Sequence, residues 1–131
     1  MTSVPPSPGL AAVPYAYTSV AGPSSSLVFC AGACPLTESG DVSGDTFAEQ
    51  AIVALTTLEQ ILRDAGATLR DVVQLRIFVA SSERRDLADA WDALTDVLGA
   101  MPPSTLVGVT VLGYPGQLVE LEAVAELAAR G

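Results

Sequence analysis

Leu118-Val119-Glu120-Leu121-Glu122-Ala123-Val124-Ala125 alternates like a β-strand, yet two carboxylates interrupt it at spacing i, i+2. Side chains on a strand alternate faces, so Glu120 and Glu122 share one face and Val119, Leu121 and Ala123 the other. The second set is a core face. The first must meet solvent, a basic partner or a functional site.

Working backwards from this strand, Gly113-Tyr114-Pro115-Gly116 has turn composition. It joins a strand expected from Thr105 to Leu112 to one from Gln117 to Leu127. Pro102-Pro103 and Gly99 end a helix that starts at Arg84 or Asp86 and turns Leu87, Ala90 or Trp91, Leu94, and Val97 or Leu98 inward. Val72 to Ala80 reads as another strand, preceded by a capped turn at Thr68-Leu69-Arg70-Asp71. The clearest helix carries Phe47, Ala51, Ala54, Leu55, Leu58, Ile61 and Leu62 on one stripe. Asp45 is its expected cap and Gly66 its stop. Gly22-Pro23-Ser24-Ser25-Ser26 separates strand candidates at Tyr15 to Ala21 and Leu27 to Cys34, an expected hairpin. Residues 1–13, rich in Pro, Ser and Ala, read as an irregular arm, and residues 14–131 as a single domain.

The order β-β-α-β-α-β-β implies an α+β fold, with two helices on one face of a mixed sheet of five to six strands. The other sheet face is still rich in apolar residues. Two helices cannot cover it as well, so a second copy of the chain is expected there.

Composition narrows the chemistry. The 131 residues carry a net charge of −9, with six arginines and no lysine or histidine. A phosphate backbone needs clustered cations, so nucleic acid is not an expected partner. Without histidine there is no imidazole base and no histidine-ligated metal. Without lysine there is no Schiff-base amine. No apolar run approaches the roughly 20 residues that span a bilayer, and no secretory leader is evident. A soluble, cytoplasmic protein with no membrane partner is expected. On a straight strand the Cα atoms of Cys30 and Cys34 would lie about 13 Å apart, too far for a disulfide. They read as small buried hydrophobes with no thiolate-stabilising neighbour.

Assembled in order, the pieces resemble the Rid (YjgF-like) family of reactive-intermediate deaminases, over residues from about 14 to 127. They are Pro14-Tyr15, Leu27-Val28-Phe29 with Gly32 and Pro35-Leu36, Glu49-Gln50 and Ala54-Leu55, and Ala65-Gly66-Ala67 with Asp71-Val72-Val73. Phe78-Val79, Pro102-Pro103 and the Leu118–Ala125 strand complete them. The resemblance implies a chorismate-mutase-like fold, a homotrimer with clefts between subunits, and cofactor-free hydrolysis of a small-molecule imine or enamine. It gives Glu120 the role of handling water and proton, and puts Tyr15, Tyr17, Gly32, Trp91, Thr105, Leu106 and Val107 around the substrate. The residues themselves leave other readings open. Glu120 and Glu122 suit ion pairs, the tyrosines suit packing at a subunit seam, and Trp91 suits a core anchor.

The departures from the family pattern bear on specificity. The arginine that binds the substrate carboxylate is replaced by Thr105, or by Ser104 if the loop shifts by one. No arginine occurs between Arg85 and Arg130. Ala31 and Ala33 stand for the usual serine and glutamine, Trp91 for an asparagine, and Tyr17 where glutamine is common. The expected pocket is therefore more apolar and aromatic. Arg76, on one strand face with Gln74 and Phe78, is either a substitute clamp or the partner of Glu120 or Glu122. The expected activity is imine or enamine hydrolysis with the substrate anchored differently. Tautomerisation or cyclisation on the same scaffold, and a trimeric binder without chemistry, are the alternatives.

Overall fold

The computed structural model describes residues 2–128. Six strands and two helices follow in the order β1 (Thr2–Ser3), β2 (Ser19–Val20), β3 (Ser26–Phe29), α1 (Phe47–Asp64), β4 (Val72–Val79), α2 (Arg84–Leu98), β5 (Ser104–Gly108) and β6 (Val119–Leu127). The main sheet runs β3-β6-β4-β5, with β4 and β5 parallel and the other pairs antiparallel. No helix among the described residues is long and apolar enough to cross a membrane.

The alternation of β6 governs the layering. Val119, Leu121, Ala123 and Ala125 are buried beneath the helices with Leu75, Ile77 and Val79 of β4. From α1, Ala51, Ala54, Leu55, Leu58 and Leu62 pack onto this face, and Ala90 and Leu94 of α2 join them. The helix-free face carries Leu27 and Phe29 of β3, Glu120, Glu122 and Val124 of β6, Gln74, Arg76 and Phe78 of β4, and Thr105 and Val107 of β5.

Local chemistry explains the helix ends. Thr46, one residue after the expected Asp45, caps α1: its Oγ1 accepts from Glu49 N at 3.1 Å. Glu49 Oε2 in turn accepts from Asp45 N at 2.7 Å, so Asp45 is a recipient of the cap and not its source. At the other end Ala67 N reaches Leu62 O and Gly66 N reaches Arg63 O, with Gly66 at φ +87°. This is a Schellman stop. The turn before β4 closes as expected, with Asp71 Oδ2 accepting from Thr68 N and Oγ1.

Three strand expectations change. The hairpin from Tyr15 to Ala21 does not form. Only Ser19–Val20 are extended, and they pair with Thr2–Ser3. Glu126 of β6 accepts from Gly22 N and Ser25 Oγ, which ties the intervening turn to the strand beside β3. The strand expected to reach Leu112 ends at Gly108, because β4 ends at Val79 and leaves no partner beyond Val109 N to Val79 O. The strand expected from Leu27 to Cys34 stops at Phe29, where a bulge follows. Cys30 N bonds Ala123 O, and Ala33 then exchanges both backbone bonds with Leu121, so residues 30–33 face 123–121 with one residue to spare. The extra residue moves Ala33 into the core although Phe29, of the same parity, lies on the open face.

Candidate functional site

The bulge sets the first half of the site. It brings Gly32 beneath the Glu120 side chain: a Cβ there would lie 2.6 Å from Glu120 Oε2. Only a residue without a side chain leaves that carboxylate its position. Cys34 Sγ donates to Glu120 Oε1 at 3.0 Å, and Gln117 Nε2 donates to the same oxygen at 3.3 Å. Burial, reinforced by the neighbouring carboxylate as acceptor and as charge, pushes the Cys34 thiol up to about 11. Cys34 is thus a protonated donor at neutral pH. Cys30 lies on the opposite face against the core, and both cysteines are free. The expectation of two plain buried hydrophobes holds for neither: both are only half-buried, and Cys34 is hydrogen-bonded to the acid.

Gln50 fixes where β6 begins. Its side chain is 1% exposed. Nε2 donates to Gly44 O at 3.1 Å and to Gly116 O at 2.9 Å, and Oε1 accepts from Leu118 N at 2.6 Å. One amide therefore ties the loop before α1, the turn after β5 and the strand that carries Glu120.

The second half lies along β5. A cavity of about 660 Å³ is lined by Pro14, Tyr15, Arg84, Leu87, Ala88, Trp91, Ser104, Thr105 and Leu106. Tyr15 meets Trp91 edge to face with ring centroids 6.0 Å apart, and Tyr17 likewise at 5.9 Å. Ala16 N bonds Met101 O, which fixes the chain beside the tyrosines.

Of the residues singled out in the sequence, Tyr15, Trp91, Thr105 and Leu106 meet in this cavity, while Glu120 and Gly32 form the other cluster. Tyr17 turns its hydroxyl to Ala11 O at 2.9 Å, and Val107 faces Phe78 on the open sheet face. Glu120 opposes Phe78, which opposes Val107. The acid thus sits two strands in from β5, about 10 Å away, and does not line the cavity. Arg76 pairs with Glu122 at 2.8 Å. Among the described residues, Arg84 is the arginine at the cavity. Sequence reasoning missed Arg84, Cys34 and Gln117. Arg84 was legible as a cation at the start of a helix that returns antiparallel to β5; the Cys34 contact depends on the bulge, which spacing does not reveal. Among the described residues no group of three or more His, Cys, Asp or Glu side chains is gathered to hold a metal ion.

Residues 9–127 match the family model described as Endoribonuclease L-PSP. The Rid family protein YyfB from Yersinia pestis, itself of unknown function, is 28% identical. The match covers 96% of this chain and 98% of that one, with a TM-score of 0.80. A YjgF/YER057c/UK114 family member from Mycobacterium tuberculosis is 37% identical over 86% of each chain, with a TM-score of 0.66. A RutC family protein from Pyrococcus abyssi is 30% identical over 100 residues, which is 75% of this chain and 76% of that protein. The match to the mitochondrial protein mmf1 of Schizosaccharomyces pombe, 28% identical, spans 61% of that protein's length.

Proposed function

The chain belongs to the Endoribonuclease L-PSP family, the YjgF or Rid family, and from that premise we propose that it hydrolyses a reactive imine or enamine without a cofactor, in clefts between the subunits of a homotrimer. The observation that carries this reading is Glu120, a carboxylate on the open sheet face seated over Gly32 and held by Cys34 and Gln117. Oε1 takes both donors. Oε2 has no hydrogen bond within the described residues and is available to a water.

In the proposed reaction Glu120 accepts a proton from that water as its oxygen attacks the imine carbon. The carbinolamine that forms takes the proton on nitrogen. Glu120 then takes the hydroxyl proton and delivers it to nitrogen as the C–N bond breaks, and the products are a carbonyl compound and ammonia. Each atom of the water ends in a product, and no electron acceptor is needed.

The assembly is proposed on two grounds. Phe29 is 74% exposed and Leu27 47%, on a face that also carries Val107 and Phe78. This is apolar surface that a second copy would bury. The site residues also fall into two clusters, which a neighbouring subunit would bring together. A chain with net charge −9 is not proposed to act on nucleic acid.

Ammonia release from 2-imino acids, generated from amino acids by an oxidase, tests the chemistry. Wild type is expected to accelerate release and Glu120→Gln to lose the acceleration. Equal rates for the two proteins would remove Glu120 from the mechanism.

A further inference from the structure

A glutamate does not by itself distinguish its two oxygens, because its last torsion is broad and two-fold. At Glu120 the neighbours distinguish them. Cys34 Sγ at 3.0 Å and Gln117 Nε2 at 3.3 Å both donate to Oε1, whereas Oε2 lies over Gly32, where the missing side chain leaves it room. Neither donor is free to turn away. Gln117 is 4% exposed. Its Oε1 accepts from Tyr114 N at 3.2 Å, and its Nε2 also donates to Val119 O at 3.1 Å. Flipping this amide would set an oxygen against two acceptors. The Cys34 thiol has one proton and a second acceptor within reach, Gly32 O at 3.7 Å. That carbonyl is farther away and uncharged, so the carboxylate takes the proton. Burial first, and then Glu120, push the thiol up to about 11, so it keeps its proton at neutral pH. Cys30 is the contrast: it packs against the core, and its Sγ makes no hydrogen bond among the described residues.

We propose that Cys34 is a positioning residue: its S–H, together with the Gln117 amide, pins Oε1 of Glu120 and so assigns Oε2 as the oxygen that meets the water. In the proposed hydrolysis, on which this extension rests, the thiol forms no bond to substrate. It fixes the rotation of the base, so that the proton of the attacking water always finds the same oxygen at the same place. A base held in one orientation by packing and outer hydrogen bonds spends less of the barrier on finding its geometry. Gln117 links that orientation to the turn before β6 through Tyr114 N. The Cys34 arm of the clamp comes from the bulge after β3, so both strands flanking Gly32 and Glu120 contribute to it.

Two readouts test the proposal, one of them without turnover. The infrared S–H stretch lies clear of the amide bands, and a hydrogen bond lowers it. With Cys30 and Cys34 the only thiols, wild type is expected to show an unshifted band from Cys30 and a lowered band that disappears in Cys34→Ala. Glu120→Gln replaces the charged acceptor by a neutral amide and should move the lowered band toward that of Cys30. In ammonia release, Cys34→Val keeps bulk without a donor. It should lose about 10-fold in kcat at unchanged KM, the lower end for a hydrogen bond to a charged group. Cys34→Ser should recover most of that loss, and Cys30→Ala should match wild type. A single S–H band in wild type, a lowered band that Glu120→Gln leaves in place, or equal kcat in the Val and Ser variants overturns the proposal. A lowered band with no ammonia from any imine sinks the hydrolase and keeps the thiol as the group that orients Glu120. Ammonia release without a lowered band does the reverse.

Discussion

Arg76 Nη1 and Glu122 Oε1 are 2.8 Å apart, directly across β4 and β6 on the sheet face that the helices leave open. The pair occupies the two groups that would otherwise compete for roles at the site: Arg76 as a carboxylate clamp and Glu122 as a second acid. In an isolated subunit it is half-exposed and worth about 0.2–1 kcal/mol. On a face covered by another subunit, removing one partner strands a buried charge and costs about 3–5 kcal/mol. Glu122→Leu should therefore weaken the proposed trimer strongly, and the double variant Arg76→Met/Glu122→Leu should recover most of the loss. Sedimentation against concentration measures both. Equal, small effects of the single and double variants would indicate a face open to solvent.

Gly32→Ala should separate stability from activity. The atoms nearest its Cβ are the carboxyl end and Cγ of Glu120, a clash that a flexible side chain relieves by rotating. The expected loss of stability stays within about 1–3 kcal/mol, the range for one added methyl in a packed site. Ammonia release should fall as far as it does in Glu120→Gln. The same substitution at Gly9, which meets nothing, is the control for both measurements.

Gln50→Ala should cost more stability than any surface change. It leaves Leu118 N, Gly44 O and Gly116 O without their partner, at about 1–3 kcal/mol for each group that water cannot reach. Urea midpoints read the loss. Gln50→Glu keeps the acceptor for Leu118 N but loses both donors, so it should fall short of wild type as well.

Cys34 should be inert to iodoacetamide at pH 8 and react with a midpoint near its pKa of about 11. Burial is the largest cause of that value and remains in any variant. The hydrogen bond and charge of Glu120 do not, so Glu120→Gln should move the midpoint down toward 9, the ordinary thiol value. The linkage has a definite sign. The folded pKa is above the unfolded one, so the contribution of Cys34 to stability is complete below pH 9 and is lost as pH rises through 11. Cys34→Ala should flatten that part of the pH–stability curve.

Both helices, the two-faced character of β6 and the option that Arg76 pairs with one of its two glutamates were legible because each depends on period and local chemistry. Leu55, Leu58 and Leu62 can share only one helix face, and Glu120 and Glu122 only one strand face. What failed depended on contacts distant in the chain. The Tyr15–Ala21 hairpin looked sound locally, but β3 pairs with β6, and Glu126 holds the intervening turn from 100 residues away or more. The bulge after Cys30 leaves no signature beyond one glycine, and it alone turns Cys34 toward Glu120. The place of Arg84 at the cavity has no counterpart in the strand pattern around Thr105, because the wall is shared between β5 and α2.

Glu120 of one subunit is proposed to complete the cavity of its neighbour, and mixed trimers test this directly. Glu120→Gln and a cavity-filling Thr105→Trp variant should each be inactive alone. Unfolded together and reassembled in equal amounts, they should regain ammonia release at about a quarter of the wild-type rate, the share of clefts that pair an intact acid with an intact cavity in a random symmetric assembly. No recovery in trimers shown by mass to contain both variants would contradict the account.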